Sequence, residues 1–331
     1  MTTLVTGATG YLGSELVREL RRRERPVRAL ARSDAAAQRI ADSGAEIVLG
    51  DITDPGSLPA ALDGVDHVFH LAGVVGHRAR DEQRLTAVNV DGSANLLAAA
   101  RDAGAGRVVY ASSVAAMGPA GSPGFPRTEA HFLLDGDDGR GDFRYGRSKA
   151  RGEQHALRAA EEGMDVVVVN PGFVIGPGDV HRVSSWPIEE YLRGVLRFVV
   201  RGGLSYVDSR DVGAGMLQAE ERGRPGERYI LTHPEGNLAH PDFFDLVGRV
   251  AGKRRRQAMM PVGALAPLLK AARVMHLPLV PLDEAELRSS TYWWYTRPDK
   301  AQAELGFATR PLEETVADTV AWLRADGYRR H

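Results

Sequence analysis

The chain is predicted to fold as a doubly wound α/β protein: a parallel sheet covered by helices on both faces, with a smaller, interleaved C-terminal substrate domain. Three observations predict it. Short β-branched or apolar runs recur at residues 3–6, 27–31, 46–49, 67–71, 107–111 and 166–170. Stretches rich in Ala, Leu and Arg separate them, and alternating strands and helices imply right-handed crossovers between parallel neighbours. At 331 residues the chain is longer than one hydrophobic core usually fills, so a second, smaller unit is expected. Residues 1–171 read as the dinucleotide-binding part, with strands near 204–231 returning to it, and 172–331 mainly as the substrate part.

In such sheets ligands lie at the carboxyl ends of the strands, so each strand end is a candidate position. The first run leads into Thr6-Gly7-Ala8-Thr9-Gly10-Tyr11-Leu12-Gly13 and then into the helical sequence SELVRELRRR. Glycine at a strand-to-helix turn lets the backbone approach a pyrophosphate resting on free helix N–H groups, which marks residues 7–13 as a dinucleotide loop of Rossmann type. The second run ends in Ala31-Arg32-Ser33 with no carboxylate to repel a 2′-phosphate. Arg32 can pair with that phosphate, so NADP(H) is favoured and NAD(H) remains possible; the plain alternative is a solvated arginine. Gly50-Asp51-Ile52 after the third run and Leu71-Ala72-Gly73 after the fourth are candidate walls for the adenine and ribose, although Asp51 also reads as a turn or capping residue.

The fifth run delivers Ser112 and Ser113 to the sheet edge, where a hydroxyl can hydrogen-bond a carbonyl oxygen. A long Gly, Pro and Asp-rich loop follows. Tyr145-Gly-Arg-Ser-Lys149 then sets a phenol and an ammonium one helical turn apart. A neighbouring cation stabilises phenolate and draws its pKa toward operating pH, which suits a general acid. With nine Tyr and four Lys in the chain, chance supplies only about 0.1 such pair. Beyond the sixth run, strands are expected at 204–207 and 227–231 and helices at 240–251, 283–290 and 311–325.

Composition narrows the chemistry. The net charge of -1 provides no overall field for nucleic acid or an anionic membrane. Zero cysteines exclude disulfides, thiolate catalysis and Cys-ligated metals, and no metal site is expected. The N-terminus lacks a basic segment followed by an apolar one, so a cytoplasmic location is expected. The stretch from Val262 is broken by Pro267, Lys270, Arg273, His276 and Pro278, which is wrong for a bilayer span and suggests an amphipathic helix at 262–278, packed over the pocket in the preferred reading and touching a membrane surface in the alternative.

The Gly7-x-x-Gly10-x-x-Gly13 loop, Asp51, Leu71-Ala72-Gly73, Ser112-Ser113, Tyr145-x-x-x-Lys149 and Asn170-Pro171-Gly172-Phe173-Val174 together resemble the extended short-chain dehydrogenase/reductase superfamily. Residues 203–212, 226–231 and 300–307 resemble its dihydroflavonol-reductase-like and 3-beta-hydroxysteroid-dehydrogenase-like branch. The resemblance implies that Ser113 holds the substrate carbonyl, Tyr145 exchanges its proton, and Lys149 binds the nicotinamide ribose while lowering the tyrosine pKa. It places Pro171, Gly172 and Val174 beside the nicotinamide, gives Asn89 an architectural role, and suggests a homodimer through helices near 81–103 and 145–162.

The expected function is reduction of a ketone or aldehyde of a small, largely apolar substrate with NADP(H), or oxidation of the corresponding alcohol. A redox-neutral sugar epimerase or dehydratase is the alternative within enzymes, although the acidic residue such epimerases carry after the second strand is replaced by Ala31-Arg32. A non-catalytic NADP(H)-sensing protein is the alternative from another class. His181, Trp186 and Tyr191 read as packing rather than substrate contacts. Tyr292-Trp293-Trp294-Tyr295 either lines an apolar site or anchors the C-terminal segment, and Lys253-Arg254-Arg255-Arg256 reads as a solvated loop.

Overall fold

The computed structural model describes residues 1–132, 143–274 and 284–326. Its strands in chain order are β1 (Thr3–Thr6), β2 (Val27–Ala31), β3 (Glu46–Leu49), β4 (His67–His70), β5 (Arg107–Ala111), β6 (Val166–Pro171), β7 (Phe173–Ile175), β8 (Phe198–Val199), β9 (Gly203–Asp208), β10 (Arg228–Leu231), β11 (Asn237–Ala239), β12 (Ala258–Met259) and β13 (Trp293–Trp294). The helices are α1 (Tyr11–Arg22), α2 (Asp34–Gln38), α3 (Leu58–Leu62), α4 (Glu82–Leu85), α5 (Gly92–Asp102), α6 (Arg144–Glu161), α7 (Trp186–Arg193), α8 (Ser209–Arg222), α9 (His240–Ala251), α10 (Val262–Val274), α11 (Glu284–Ser289) and α12 (Leu312–Ala325). Seven parallel strands form the main sheet in the order β10-β6-β5-β4-β1-β2-β3. This is the doubly wound fold, with the order reversing between β1 and β4.

Burial explains the order. β6 is the unbroken run VVVVNP with every residue buried, as a strand covered on both faces requires, whereas β3 at the far edge is partly exposed throughout. α1 turns Leu16, Val17 and Leu20 to the sheet at helical spacing and places Arg21 and Arg22 at its negative end. One face of the sheet builds a core with α1 and α8 around Val5, Phe69, Val109, Val169 and Met216. The other builds a core with α3, α5 and α6 around Leu4, Val68, Leu96, Val108 and Val168.

The second unit corrects the expectation for the strand at 204–207. It does not return to the main sheet, although the strand at 228–231 does. β9 instead centres a second sheet, pairing parallel with β7 and β13 and antiparallel with β11. The edge of β6 is already taken by β10, in the register Arg228 to Val168 through Leu231 to Pro171, so no position remains there for β9. The helices expected at 240–251, 283–290 and 311–325 are present as α9, α11 and α12. A third core, with Tyr206 stacked on Phe243 at 3.9 Å and Tyr191 on Phe244 at 5.5 Å, packs this sheet against α7, α9 and α12.

The long loop after Ser113 starts with a single tight turn, Val114–Met117, and is tied to the second sheet by bridges from Ala120 to Trp293 and from Arg127 to Thr296. The rest of the loop, 133–142, lies outside the described residues, as do residues 275–278 of the apolar stretch. α10 keeps Pro267 inside it. Among the described residues no helix is long and apolar enough to cross a membrane.

Gly172 makes the passage between the two sheets. A side-chain carbon there would stand 2.5 Å from the Ser205 carbonyl oxygen and 2.6 Å from a Thr232 methyl. Gly172→Ala is therefore expected to destabilise the protein by about 1–3 kcal/mol through overpacking, read as a lower urea midpoint with unchanged slope.

Candidate active site

The glycine loop is held open for a ligand by contacts that only glycine permits. Gly7 has φ +71°, and a side-chain carbon on it would lie 2.7 Å from the Ala72 nitrogen. One on Gly13 would lie 2.1 Å from the Gly7 carbonyl oxygen. β1, the first turn of α1 and the strap after β4 thus pack at backbone distance. Gly10 caps α1 without a side chain, and the first turn carries no acidic residue, so helix N–H groups and the positive end of the dipole face the cleft. This is the cradle a pyrophosphate needs.

At the end of β2, Arg32 is exposed and makes no hydrogen bond or ion pair among the described residues. Arg28, two residues inside the strand end, is by contrast consumed by Glu46 at 3.0 Å and by the carbonyls of Ala61 and Asp63. Asp51 holds its own turn, accepting from the Thr53 amide and hydroxyl at 2.8 Å, and Ile52 is buried in the core.

The reactive groups converge from β5 and α6. The two serines divide their work: the Ser112 hydroxyl turns inward and donates to Glu153, while Ser113 lines the cleft with Tyr145 and its hydroxyl caps the turn Val114–Met117, accepting from the Ala115 amide at 3.1 Å. Lys149 Nζ donates to the Ala111 carbonyl at 2.7 Å and lies 5.3 Å from the Tyr110 ring centre. Burial pulls the Lys149 ammonium down to about 8, with the Glu153 carboxylate acting in the opposite direction. Contrary to the expectation that Lys149 draws the phenol's ionisation down, burial pushes Tyr145 up and the counteracting pull comes from Ser113.

A cavity of about 820 Å³ joins these parts. Gly7, Gly10, Tyr11, Leu12, Gly13, Leu71, Gly73, Ser112, Ser113, Tyr145, Lys149, Pro171, Gly172 and Val174 line it; Thr9, Arg32, Asp51, Ile52 and Ala72 do not. Its far wall is largely apolar, with Phe173, Trp186, Leu196, Phe198, Val199, Leu204, Tyr206, Phe243, Phe244, Leu265 and Trp294, and Ser184, Arg197, Ser205, His240 and Glu286 add polar groups to it. Trp186 is thus a cavity wall and not only packing. Tyr191 does pack, fully buried against Phe244, and His181 is exposed outside the cavity. The aromatic cluster at 292–295 serves both ends proposed for it. Tyr292 and Trp294 pack edge-on against Phe143 at 5.1 and 5.3 Å, with Trp294 reaching the cavity, while Trp293 and Trp294 anchor the chain to β9.

Sequence reasoning missed the polar layer beneath the cleft. Glu153 is fully buried; it pairs with Arg228 and accepts from Asn170 at 2.9 Å besides Ser112. Arg228 in turn holds the carbonyls of Glu129 and His131. The signal was present, since Glu153 stands one helical turn beyond Lys149 on the same face of α6. Asn89, in a π-turn at Thr86–Asp91, clamps Val74 through its main chain at 2.8 and 2.9 Å and reaches Ser148 at 2.9 Å. Below it His70 bridges Thr6 and Ser93, and burial holds its pKa down to about 3, so it is neutral at physiological pH.

A parallel doubly wound sheet with a glycine cradle at its first crossover, and a Ser, Tyr and Lys cluster at the end of its fifth strand, defines a dinucleotide-dependent oxidoreductase. The sequence profile of the NAD dependent epimerase/dehydratase family matches residues 3–231, and the chain belongs to that family. A protein of Synechocystis sp. provisionally named dihydroflavonol 4-reductase is 35% identical over 98% of this chain and 95% of its own. The 4-hydroxy-2-methyl-3-oxo-4-farnesyl-3,4-dihydroquinoline-1-oxide ketoreductase of Stigmatella aurantiaca is 33% identical over 97% of this chain and 96% of its own. Among solved structures, PA4631, a nucleoside-diphosphate-sugar epimerase from Pseudomonas aeruginosa, superposes with a TM-score of 0.80 at 26% identity, covering 100% of this chain and 99% of that one. The protein is an extended short-chain dehydrogenase/reductase, an NAD(P)-dependent oxidoreductase.

Burial lowers the pKa of the Lys149 cation, so its charge is present below about 8 and lost above it. The kcat/KM of turnover is expected to fall as pH rises through about 8, whereas a profile level across that range would remove Lys149 from the chemistry.

Proposed function

We propose that the protein is an NADP(H)-dependent reductase of a ketone or aldehyde carried on a largely apolar body. The observation that supports this most directly is the juxtaposition of the Ser113–Tyr145 pair with a wall of Phe, Trp, Leu and Val side chains in one cavity. Such a wall buries a hydrocarbon or aromatic body, whose removal from water favours binding there. The ketoreductase of Stigmatella aurantiaca, named for a substrate that bears a farnesyl chain, agrees with this reading.

In this reading residues 1–171 with β10 hold the cofactor, and residues 172–331 mainly shape the substrate site. Gly7, Gly10 and Gly13 admit the pyrophosphate, with Thr9, Tyr11 and Leu12 completing the loop. Arg32, having no other partner, pairs with the 2′-phosphate beyond β2, and Asp51, Ile52, Leu71, Ala72 and Gly73 border the adenosine side. Pro171, Gly172 and Val174 border the nicotinamide, which supplies the hydride for the carbonyl carbon. Ser113 donates a hydrogen bond to the carbonyl oxygen. Tyr145 gives its proton to that oxygen as negative charge develops there. Burial keeps the phenol protonated in the free protein, so it enters this step as the donor. Lys149 holds the ribose and contributes positive charge beneath it. The apolar wall keeps water from the reacting carbon.

The test follows NADPH and NADH oxidation in parallel against apolar ketones, aromatic aldehydes, β-keto esters and nucleotide sugars. Tyr145→Phe is expected to lower kcat by about 10²–10⁴ while leaving dinucleotide affinity near wild type, and equal loss of both would sink the assignment. Arg32→Glu is expected to raise the KM for NADPH roughly tenfold and leave that for NADH little changed. An exposed pair contributes at most about 1 kcal/mol, and reversing its sign adds a comparable repulsion. Unchanged preference would remove Arg32 from the cofactor site.

A further inference from the structure

The distribution of charge around the cavity is uneven in a way the reaction does not require. Residues 193–201 carry Arg193, Arg197 and Arg201, and residues 252–268 carry Lys253, Arg254, Arg255 and Arg256; neither stretch contains an Asp or Glu, in a chain whose net charge is -1. The fold brings the two together. β8 pairs with β12, the Ala258 amide donates to the Arg197 carbonyl at 3.0 Å, and the Met260 amide donates to the Val199 carbonyl at 2.9 Å. Arg193 is paired with Glu190, and Arg255 packs on Gly194 and reaches the Leu192 carbonyl. Arg197, Arg201, Lys253, Arg254 and Arg256 are exposed and form no ion pair among the described residues.

The same ribbon, and the helix α10 that follows it, expose apolar side chains. Met259 is 60% exposed and Leu268 is 41% exposed, and Pro261, Ala264 and Pro267 between them are exposed as well. The unit also forms a wall of the cavity, to which Arg197, Phe198, Leu265 and Leu268 contribute. Unpaired cations interleaved with exposed hydrocarbon, on a flap free of acidic residues, are complementary to a surface that presents anionic headgroups above an acyl interior.

We propose that the β8–β12 ribbon and the start of α10 dock this protein peripherally on an anionic lipid surface, so that an apolar substrate enters the cavity from the bilayer. The docking stands on the charge and exposure of the flap alone. The route taken by the substrate rests on the reductase reading above. An acidic carrier protein would meet the cations equally well but leaves the exposed Met259 and Pro261 without purpose, so the lipid surface is the occupant the flap fits.

The experiment sediments the full-length protein with vesicles of phosphatidylcholine alone and of phosphatidylcholine containing phosphatidylglycerol. Binding to the anionic vesicles only is expected, with release at about 1 M salt, where the Debye length is about 3 Å. The double variant Arg254→Glu, Arg256→Glu should lower partition at least tenfold, since each basic side chain near such a surface contributes measurably and reversal doubles the change. Met259→Glu should lower it as well. Both variants should keep wild-type turnover of a short, water-soluble ketone and lose turnover of a long-chain ketone presented in the vesicles. Absence of binding to anionic vesicles, binding undiminished by both variants, or retention on an acidic protein matrix without retention on vesicles would each overturn the proposal. If no ketone is turned over by the wild-type protein the reductase reading fails, and sedimentation still decides the docking by itself.

Discussion

The carboxylate of Glu153 sets the constraint on which the site depends. A charge buried this completely is tolerable only if each oxygen finds a donor, and the donors come from three strands: Ser112 beyond β5, Asn170 in β6 and Arg228 in β10. Satisfying that one group therefore fixes α6 against three parallel strands at once. Because Tyr145 and Lys149 stand on the same helix, their position over the sheet edge follows from it. Arg228 carries the constraint outward by holding the carbonyls of Glu129 and His131, so the loop that follows Ser113 is tied to the same buried pair. Removing one partner would leave the other charged and unpaired in the core, a loss of about 3–5 kcal/mol for pairs of this kind.

Above that layer the environment changes sharply. The floor of the cavity offers a hydroxyl, a phenol and an ammonium, and its far wall is largely apolar, with polar groups from Ser184, Arg197, Ser205, His240 and Glu286 among the hydrocarbon. In such surroundings each remaining polar contact is stronger than it would be in water, and proton transfer proceeds between groups that do not have to reorganise. The cost falls on the ionisable residues themselves. Burial lowers the pKa of Lys149 and raises that of Tyr145, leaving one group near physiological pH and the other firmly protonated. Ser113 and Glu153 moderate these two shifts.

The second sheet begins where the chain leaves β6. With β10 seated on β6, the chain leaving Pro171 cannot extend the parallel ladder, and Gly172 carries it into β7 beneath the Ser205 carbonyl. β13 closes on the same strand and brings Trp294 to the cavity. Residues more than a hundred positions apart thereby furnish one largely apolar wall of the cavity that Ser113 and Tyr145 also line.

Much of this was legible in the sequence because it is governed by local rules. The strands β1 to β6 follow from β-branched runs of the right length, and the cradle follows from glycines at a strand-to-helix turn, where neither steric demand nor dipole needs distant partners. The Tyr145 and Lys149 pair is set by helical spacing alone. What only the tertiary structure decided involves choices between equivalent candidates. Ser112 and Ser113 have the same chemistry one residue apart, and the buried Glu153 takes the first inward while the second caps the next turn at the wall of the cleft. β9 and β10 are alike as apolar strands, and the single free edge of β6 decides which joins the main sheet. Trp186 and Tyr191 are both aromatic residues of α7, and only the packing of α9 beneath that helix makes one a cavity wall and the other core. Local propensity specifies an element, but long-range burial and the satisfaction of buried charge specify which face of it meets the substrate.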